Sequence, residues 1–165
     1  MSNSLKLALA DQFVAGLAML RECVELCPDD LWSAALDKPP RTYWRIAYHA
    51  TFYSHFYLSQ RQTDFTHWDK HVPHAIMTFS EEGEKLPLEG TVYTQSDLLE
   101  YIDFLKEQTG GMIEILDLDS PESGFPWYKN VPKLNHVLLT LRHLSIHVGQ
   151  LQELLFARGI ESDWA

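Results

Sequence analysis

The stretch "LNHVLLTLRHLSIHVGQLQELLFARG", residues 134–159, has the apolar spacing of a long amphipathic helix and carries two histidines four residues apart. Leu144, Val148, Leu151 and Leu155 recur every three to four residues, which is typical of a helix with one buried face. The polar residues lie mainly on the opposite side. The stretch therefore predicts a long helix packed into a helical core.

Three other stretches have a helical pattern, and no strand pattern separates them. The predicted helices cover about 5–27, 41–60 and 95–116. Pro28 ends the first helix and begins one short extra turn, and Pro39 and Pro40 precede the second helix. Thr94 and Asp97 have the spacing of a capping box at the start of the third.

Four long helices without repeats or low-complexity segments predict an all-α fold, a four-helix bundle formed by one domain over residues 1–165. Long loops follow the second and third predicted helices, over about 61–95 and 119–132. Loops of this length in a small domain are usually functional, so we expect them to contribute to a site.

The composition excludes several classes of function. Acidic residues outnumber basic ones 23 to 13, which gives a formal net charge of −10 and disfavours binding to nucleic acid or to anionic membranes. No apolar run is long enough to predict a transmembrane helix. Cys23 and Cys27 are too few for a disulfide framework. We interpret them as reduced, non-catalytic thiols of a cytoplasmic protein.

His143 and His147 can bind one metal ion together. They are one turn apart along the predicted fourth helix and about 40° apart around it. His136 lies on the same stripe but about 10 Å from His143, which is too far for the same ion. A pair of this kind is also compatible with two buried structural histidines satisfied by hydrogen bonds.

The second predicted helix offers a third imidazole. His49 lies in the apolar and aromatic stretch "RIAYHATFY", on a face that also carries Tyr53. Three neutral imidazoles from two facing helices can hold a divalent ion and leave a coordination position open. His55 is the rival ligand, but it lies about 240° around the helix from His49, so the two cannot face the same ion. We favour His49.

A second histidine cluster, formed by His67, His71 and His74, lies in the long connection. Pro73 makes a continuous helix unfavourable there, and charged neighbours indicate a solvated segment. We therefore interpret these histidines as surface or pocket-rim residues rather than as a metal site.

The chain resembles the DinB-like (DinB/YfiT-like) superfamily. The matching residues are His49 in "AYHATFY" and His143, His147, Gly149 and Gln150 in "LRHLSIHVGQL". Helix order and length agree over the whole chain, although the sharp motif covers only a small part of it. The resemblance implies a four-helix bundle of this type that binds one divalent metal ion through His49, His143 and His147.

The resemblance implies several possible activities. Some relatives transfer or add a low-molecular-weight thiol such as bacillithiol, mycothiol or glutathione, and others are metal-dependent hydrolases. Ile146 departs from the commonest form, which has a further histidine at that position. We expect a metal-dependent enzyme acting on a small-molecule substrate, with zinc, nickel or iron as its metal. The alternatives are a non-catalytic metal- or ligand-binding dimer and a structural bundle without metal.

No catalytic carboxylate is evident, since Asp117, Asp119 and Glu153 are candidates only by availability. A pocket near the metal is expected to include five residues. These are Tyr53, Trp127, Tyr128, His136 and Gln150. The alternative for the segment around Trp127 is a hydrophobic plug that seals the end of the bundle.

The many aromatic residues of the second helix predict a homodimer, or else a thick core beneath the loops.

Overall fold

The computed structural model describes residues 3–36, 41–72, 75 and 93–163, and these form helices connected by loops, with no strand among them. The helices are α1 (Asn3–Leu26), α2 (Asp29–Trp32), α3 (Tyr43–Tyr57), α4 (Gln95–Ile115) and α5 (Lys133–Phe156). A short 3-10 turn covers Gln62–Asp64. The prediction of an all-α fold is confirmed. The predicted break at Pro39 and Pro40, Pro73 and His74 lie outside the described residues.

The four long helices are those expected from the sequence, with shifted ends. The second predicted helix is α3, and it begins two residues late because Thr42 is its N-cap and accepts a hydrogen bond from the backbone N–H of Arg45. It ends at Tyr57 instead of residue 60. The carbonyls of Ser59 and Gln60 instead accept hydrogen bonds from the ammonium of Lys133.

The start of α4 confirms the predicted capping box. The Thr94 hydroxyl accepts a hydrogen bond from the backbone N–H of Asp97, and the Asp97 carboxylate accepts one from the backbone N–H of Thr94. Gly110 and Gly111 lie inside α4 and do not end it. The last predicted helix ends at Phe156 rather than at residue 159, where Gly159 has a φ of 73°.

The four long helices pack as a ring around one core. Helix α1 lies against α4 and α5, and α3 lies against the same two helices from the other side. The apolar positions of α1 that recur at helical spacing are all buried; they are Leu9, Phe13, Leu17, Leu20 and Val24. Because α3 and α5 are neighbours in this ring, the helices that carry His49 and the His143–His147 pair face each other.

The aromatic residues of α3 mostly fill the core. Tyr43, Trp44, Tyr48, Phe52 and Tyr57 are all buried within the chain. Rings from other segments pack against them, and Tyr93, for example, stacks on Tyr48 with 4.5 Å between centroids. This is the thick core named above as the alternative to a dimer interface. The homodimer stays a prediction.

Both cysteines are buried free thiols. Burial raises the pKa of Cys23 and of Cys27 to about 12, so both thiols are protonated at neutral pH. This supports their interpretation as non-catalytic residues. Among the helices of the described ranges, none is both long and apolar enough to cross a membrane.

Candidate metal centre

Three imidazoles meet between α3 and α5. The Nε2 atom of His143 lies 3.1 Å from Nε2 of His49 and 3.0 Å from Nε2 of His147. His49 and His147 are buried, and His143 is partly buried. In the part of the chain that the structure describes, these three residues form the only group of three or more His, Cys, Asp or Glu side chains placed to hold a metal ion.

Gln150 fixes the orientation of one of these rings. Its Oε1 atom lies 2.9 Å from Nδ1 of His147. Because an amide oxygen only accepts hydrogen bonds, Nδ1 must carry the proton, and Nε2 of His147 then points its lone pair at the other two rings. The Nδ1 atoms of His49 and His143 are buried and have no hydrogen-bond partner. Gln150 was predicted as a pocket residue, and its contact with His147 gives it a defined role.

The site keeps its imidazoles neutral. Burial, followed by the nearby charges of His147 and His143, lowers the pKa of His49 to about 2. Burial and the proximity of His147 lower the pKa of His143 to about 4. Burial also lowers the pKa of His147, with a further contribution from Arg41 that opposes the hydrogen bond of Gln150. No sequence pattern pointed to Arg41, because its effect on His147 depends on the tertiary structure.

The two Nε2–Nε2 distances that join His143 to His49 and to His147 fit a divalent ion. Ligand nitrogens about 2.0–2.1 Å from a tetrahedral ion lie about 3.3 Å from one another, close to the 3.0 and 3.1 Å found here. Lone pairs that converge at this distance repel each other unless a proton or a cation lies between them. The geometry and the neutral donors both suit zinc, nickel or iron, and three ligands leave a fourth position for a small molecule.

An aromatic row runs from the triad toward the loop before α5. The Tyr53 ring lies 4.6 Å from the His49 ring and 5.1 Å from the Tyr57 ring, measured between centroids. The Trp127 indole N–H donates a hydrogen bond to the Tyr57 hydroxyl at 3.3 Å, and 51% of the Trp127 side chain is exposed. The predicted pocket residues Tyr53 and Trp127 are thus linked through Tyr57, which was predicted only as one of the aromatic residues of the second helix and not as part of the pocket.

His136 and Tyr128 lie behind this row. His136 is fully buried, and the rings of Tyr57, Phe125 and Tyr128 surround it at centroid distances of 4.8–4.9 Å. Neither ring nitrogen of His136 has a hydrogen-bond partner. Burial, followed by the charge of Lys133, lowers the pKa of His136 to about 4. Of the five predicted pocket residues, His136 is therefore the one enclosed in the core.

Replacing His136 with phenylalanine is expected to stabilise the protein and flatten its acid sensitivity. A depressed pKa in the folded state means that stability is complete above the unfolded pKa of 6.5 and is lost as the pH falls toward about 4. This titration costs roughly 3 kcal/mol. Phenylalanine also removes two unpaired buried nitrogens, which adds about 1–2 kcal/mol at pH 7. Urea unfolding of the unmodified chain and of His136→Phe at pH 7 and pH 5 tests this prediction. An equal fall in the free energy of unfolding between the two pH values in both proteins would contradict it.

Replacing Gln150 with leucine is expected to weaken metal binding about 10- to 100-fold without removing a ligand. The reason is that Nδ1 of His147 loses its acceptor, and the ring is no longer held in the orientation that directs Nε2 at the ion. A chelator competition measures the dissociation constant. Gln152→Leu on the same helix is the matched control, because among the described residues the Gln152 side chain bonds to the Asp163 carbonyl and not to a histidine. Equal affinities for the two variants would show that Gln150 does not position His147.

The other histidines that the structure describes lie apart from the triad. Nδ1 of His55 lies 2.9 Å from the Tyr101 hydroxyl on the α4 side of α3, which agrees with the choice of His49 over His55. His67 is exposed and stacks on His71, with 4.1 Å between centroids. His71 Nδ1 lies 2.6 Å from the Tyr48 hydroxyl. Two parallel rings do not chelate an ion, so this pair fits the predicted surface role.

The exposed carboxylates Asp117, Asp119 and Glu153 do not join the triad.

No known protein-family model matches the chain, and no curated protein or solved structure does so either. Function must therefore be inferred from the triad and its surroundings.

Proposed function

We propose that this chain is a metal-dependent enzyme of the DinB-like four-helix type that transfers or adds a low-molecular-weight thiol. The observation that carries this proposal is the convergence of three neutral imidazoles on one point between α3 and α5, with Nε2 atoms 3.0 and 3.1 Å apart. Their spacing matches the ligand set of a divalent ion with an open position.

Each residue of the site has a distinct task. His49, His143 and His147 would hold the ion through Nε2, and Gln150 orients the ring of His147. A divalent ion with three neutral ligands keeps its full charge and lowers the pKa of a thiol or water that reaches it. Tyr53 covers one side of His49 and His143, and it leads to the aromatic row that ends at Trp127.

A thiol is favoured over water because the metal-binding group itself includes no carboxylate. Water attack is commonly assisted by a carboxylate that takes up the proton. The group formed by the described residues holds only imidazoles, and all three would be occupied as ligands. A thiol already reacts well once it loses its proton, so it requires less assistance from a positioned base.

The test starts with tag-free protein, stripped of metal and reloaded with zinc, nickel or cobalt. The cobalt form is titrated with glutathione, bacillithiol, mycothiol and cysteine. We expect one thiol to produce a sulfur-to-cobalt charge-transfer absorption. The same thiol should then react with monochlorobimane in the zinc or nickel form: a carbon–sulfur bond forms, chloride leaves, and the thiol proton goes to solvent. His143→Ala is the inactive control.

Other outcomes would point to the alternatives. Thiol binding without any turnover favours a non-catalytic binding protein. Metal-dependent cleavage of p-nitrophenyl acetate, without a thiol-dependent absorption, favours a hydrolase. Failure to bind any of the three metals at stoichiometric level would overturn the proposal as a whole.

Replacing Trp127 with alanine is expected to alter substrate preference while metal content stays unchanged. Trp127 is half-exposed at the end of the aromatic row, so a substrate bound at the triad can extend onto its ring. We expect a rise in KM of about 5- to 30-fold for aromatic electrophiles, equal to about 1–2 kcal/mol of lost contact. Lower stability with unchanged KM would favour the plug. Phe156→Ala, an exposed aromatic residue at the end of α5, is the control.

A further inference from the structure

A cavity of about 310 Å³ lies on the opposite side of α3 from the triad, between the end of α3, the 3-10 turn and α4. Its apolar wall includes Phe65, Phe104 and Met112, and Phe104 is 38% exposed although it is a large aromatic residue. The volume is at the small end of the range for small-molecule sites. Every residue that lines the cavity belongs to the described ranges.

A buried imidazole supplies the polar group of this cavity. His55 is only 8% exposed and lines the cavity between the rings of Phe65 and Phe104, at centroid distances of 4.9 and 5.7 Å. Its Nδ1 atom is hydrogen-bonded to the Tyr101 hydroxyl. Its Nε2 atom has no hydrogen-bond partner among the described residues, and it is not one of the enclosed side-chain nitrogens. We infer that Nε2 opens onto the cavity.

The tautomer of His55 follows from its neighbour. Tyr101 is fully buried, and its hydroxyl has no partner other than His55 within the described ranges. A buried hydroxyl must donate its proton, so the Tyr101 O–H donates to Nδ1, and the proton of the neutral ring is then on Nε2. Burial, followed by the charge of His67, lowers the pKa of His55 to about 4, which keeps the ring neutral at pH 7. The cavity therefore contains a single buried N–H donor.

The rim of the cavity selects against anions. Asp64 lies at the rim, the net charge of the chain is −10, and no arginine or lysine lines the cavity. An anionic ligand would meet this negative potential without a compensating charge. Gln108, also exposed at the rim, offers a neutral amide. Together, these features describe an apolar site with one hydrogen-bond donor inside it. Its entrance carries a carboxylate and a neutral amide but no positive charge.

We propose that this cavity is a second ligand site, separate from the metal centre. It would take a small uncharged molecule with an aromatic body and one carbonyl-type acceptor, which receives a hydrogen bond from Nε2–H of His55. The apolar body packs against Phe65, Phe104 and Met112. Since His49 and His55 face opposite neighbours of α3, occupancy of this site does not require a metal ion.

Three probes of similar shape test the proposal. Acetophenone has the aromatic ring and the neutral acceptor, ethylbenzene lacks the acceptor, and benzoate is an anion. Binding to the metal-free full chain is followed by ¹⁵N–¹H correlation spectra. We expect a dissociation constant for acetophenone of about 0.1–1 mM. Ethylbenzene should bind about fivefold more weakly because it lacks the hydrogen bond, and benzoate at least about tenfold more weakly.

Two substitutions locate the binding. Gln108→Trp places a large side chain over the cavity and should weaken acetophenone binding by at least about tenfold. Gln12→Trp, the same change at an exposed position of α1, should leave it within about twofold. His55→Phe should remove the preference for acetophenone over ethylbenzene while ethylbenzene still binds, which also shows that the cavity is intact.

Several results would overturn the proposal. One is the absence of shifts at Phe65 and Phe104 up to the solubility limit of acetophenone. Others are equal binding by Gln108→Trp and Gln12→Trp, or tighter binding of benzoate than of acetophenone. None of these results bears on the metal centre, which is tested by metal content and thiol chemistry.

Discussion

Replacing His143 with alanine is expected to reduce metal affinity by on the order of a hundred- to a thousandfold, so that purified protein no longer retains one equivalent of metal. His143 is central to the triad, because its Nε2 atom lies within 3.1 Å of Nε2 of both His49 and His147. Without it, two imidazoles from different helices remain, and they contact each other only through their ring faces and edges.

Elemental analysis after dialysis against a weak chelator measures the retained metal. His67→Ala is the matched control, because His67 is exposed and lies outside the triad, and it should retain full stoichiometry. His49→Ala and His147→Ala are expected to lose metal as His143→Ala does. Full retention by His49→Ala, together with loss in His55→Ala, would show that the ligand from α3 was assigned wrongly. Circular dichroism confirms that each variant is folded.

Replacing Gly124 with alanine is expected to lower the free energy of unfolding by about 3–5 kcal/mol. Gly124 has a φ of 84°, which residues with a side chain rarely adopt. A Cβ atom added there would lie 2.1 Å from the carbonyl oxygen of Gln60 and 2.9 Å from Cα of Arg61. Both are backbone atoms, so the clash cannot be relieved by a change of rotamer.

The close approach of Gly124 to the backbone of Gln60 also joins the loop before α5 to the segment that follows α3. The backbone N–H of Gln62 donates to the Gly124 carbonyl, and the buried ammonium of Lys133 donates to the carbonyls of Gln60 and Ser123. Alanine at position 124 would push these segments apart and leave buried carbonyls without donors. The expected loss is therefore larger than that caused by the backbone conformation alone.

Urea unfolding of Gly124→Ala against Gly110→Ala tests this prediction. Gly110 lies in α4 with no atom within 4 Å of an added Cβ, so alanine there is expected to stabilise the chain by up to about 1 kcal/mol. A Gly124→Ala variant as stable as the unmodified chain would show that the loop relaxes around position 124. An equal loss in both would indicate an effect of alanine unrelated to the contact.

The helices could be predicted from the sequence because helix formation depends mainly on residues that are close to one another in the chain. Helical spacing of apolar residues gave the four long helices, and Thr94 with Asp97 located the start of α4. The ends at Tyr57 and Phe156 were placed too late. Just beyond the end of α3, the carbonyls of Ser59 and Gln60 bond to Lys133, which is more than 70 residues away in the chain. No local pattern specifies a contact of this kind.

The sequence by itself determined the all-α class and the pairing of His143 with His147, because 3.6 residues per turn places residues four apart on one face. Only the tertiary structure decided that His49 rather than His55 joins them, since α3 presents one histidine to α5 and the other toward α4. It also decided that Gln150 bonds to His147. Such pairings depend on which helix faces are neighbours, and packing of the whole core sets that.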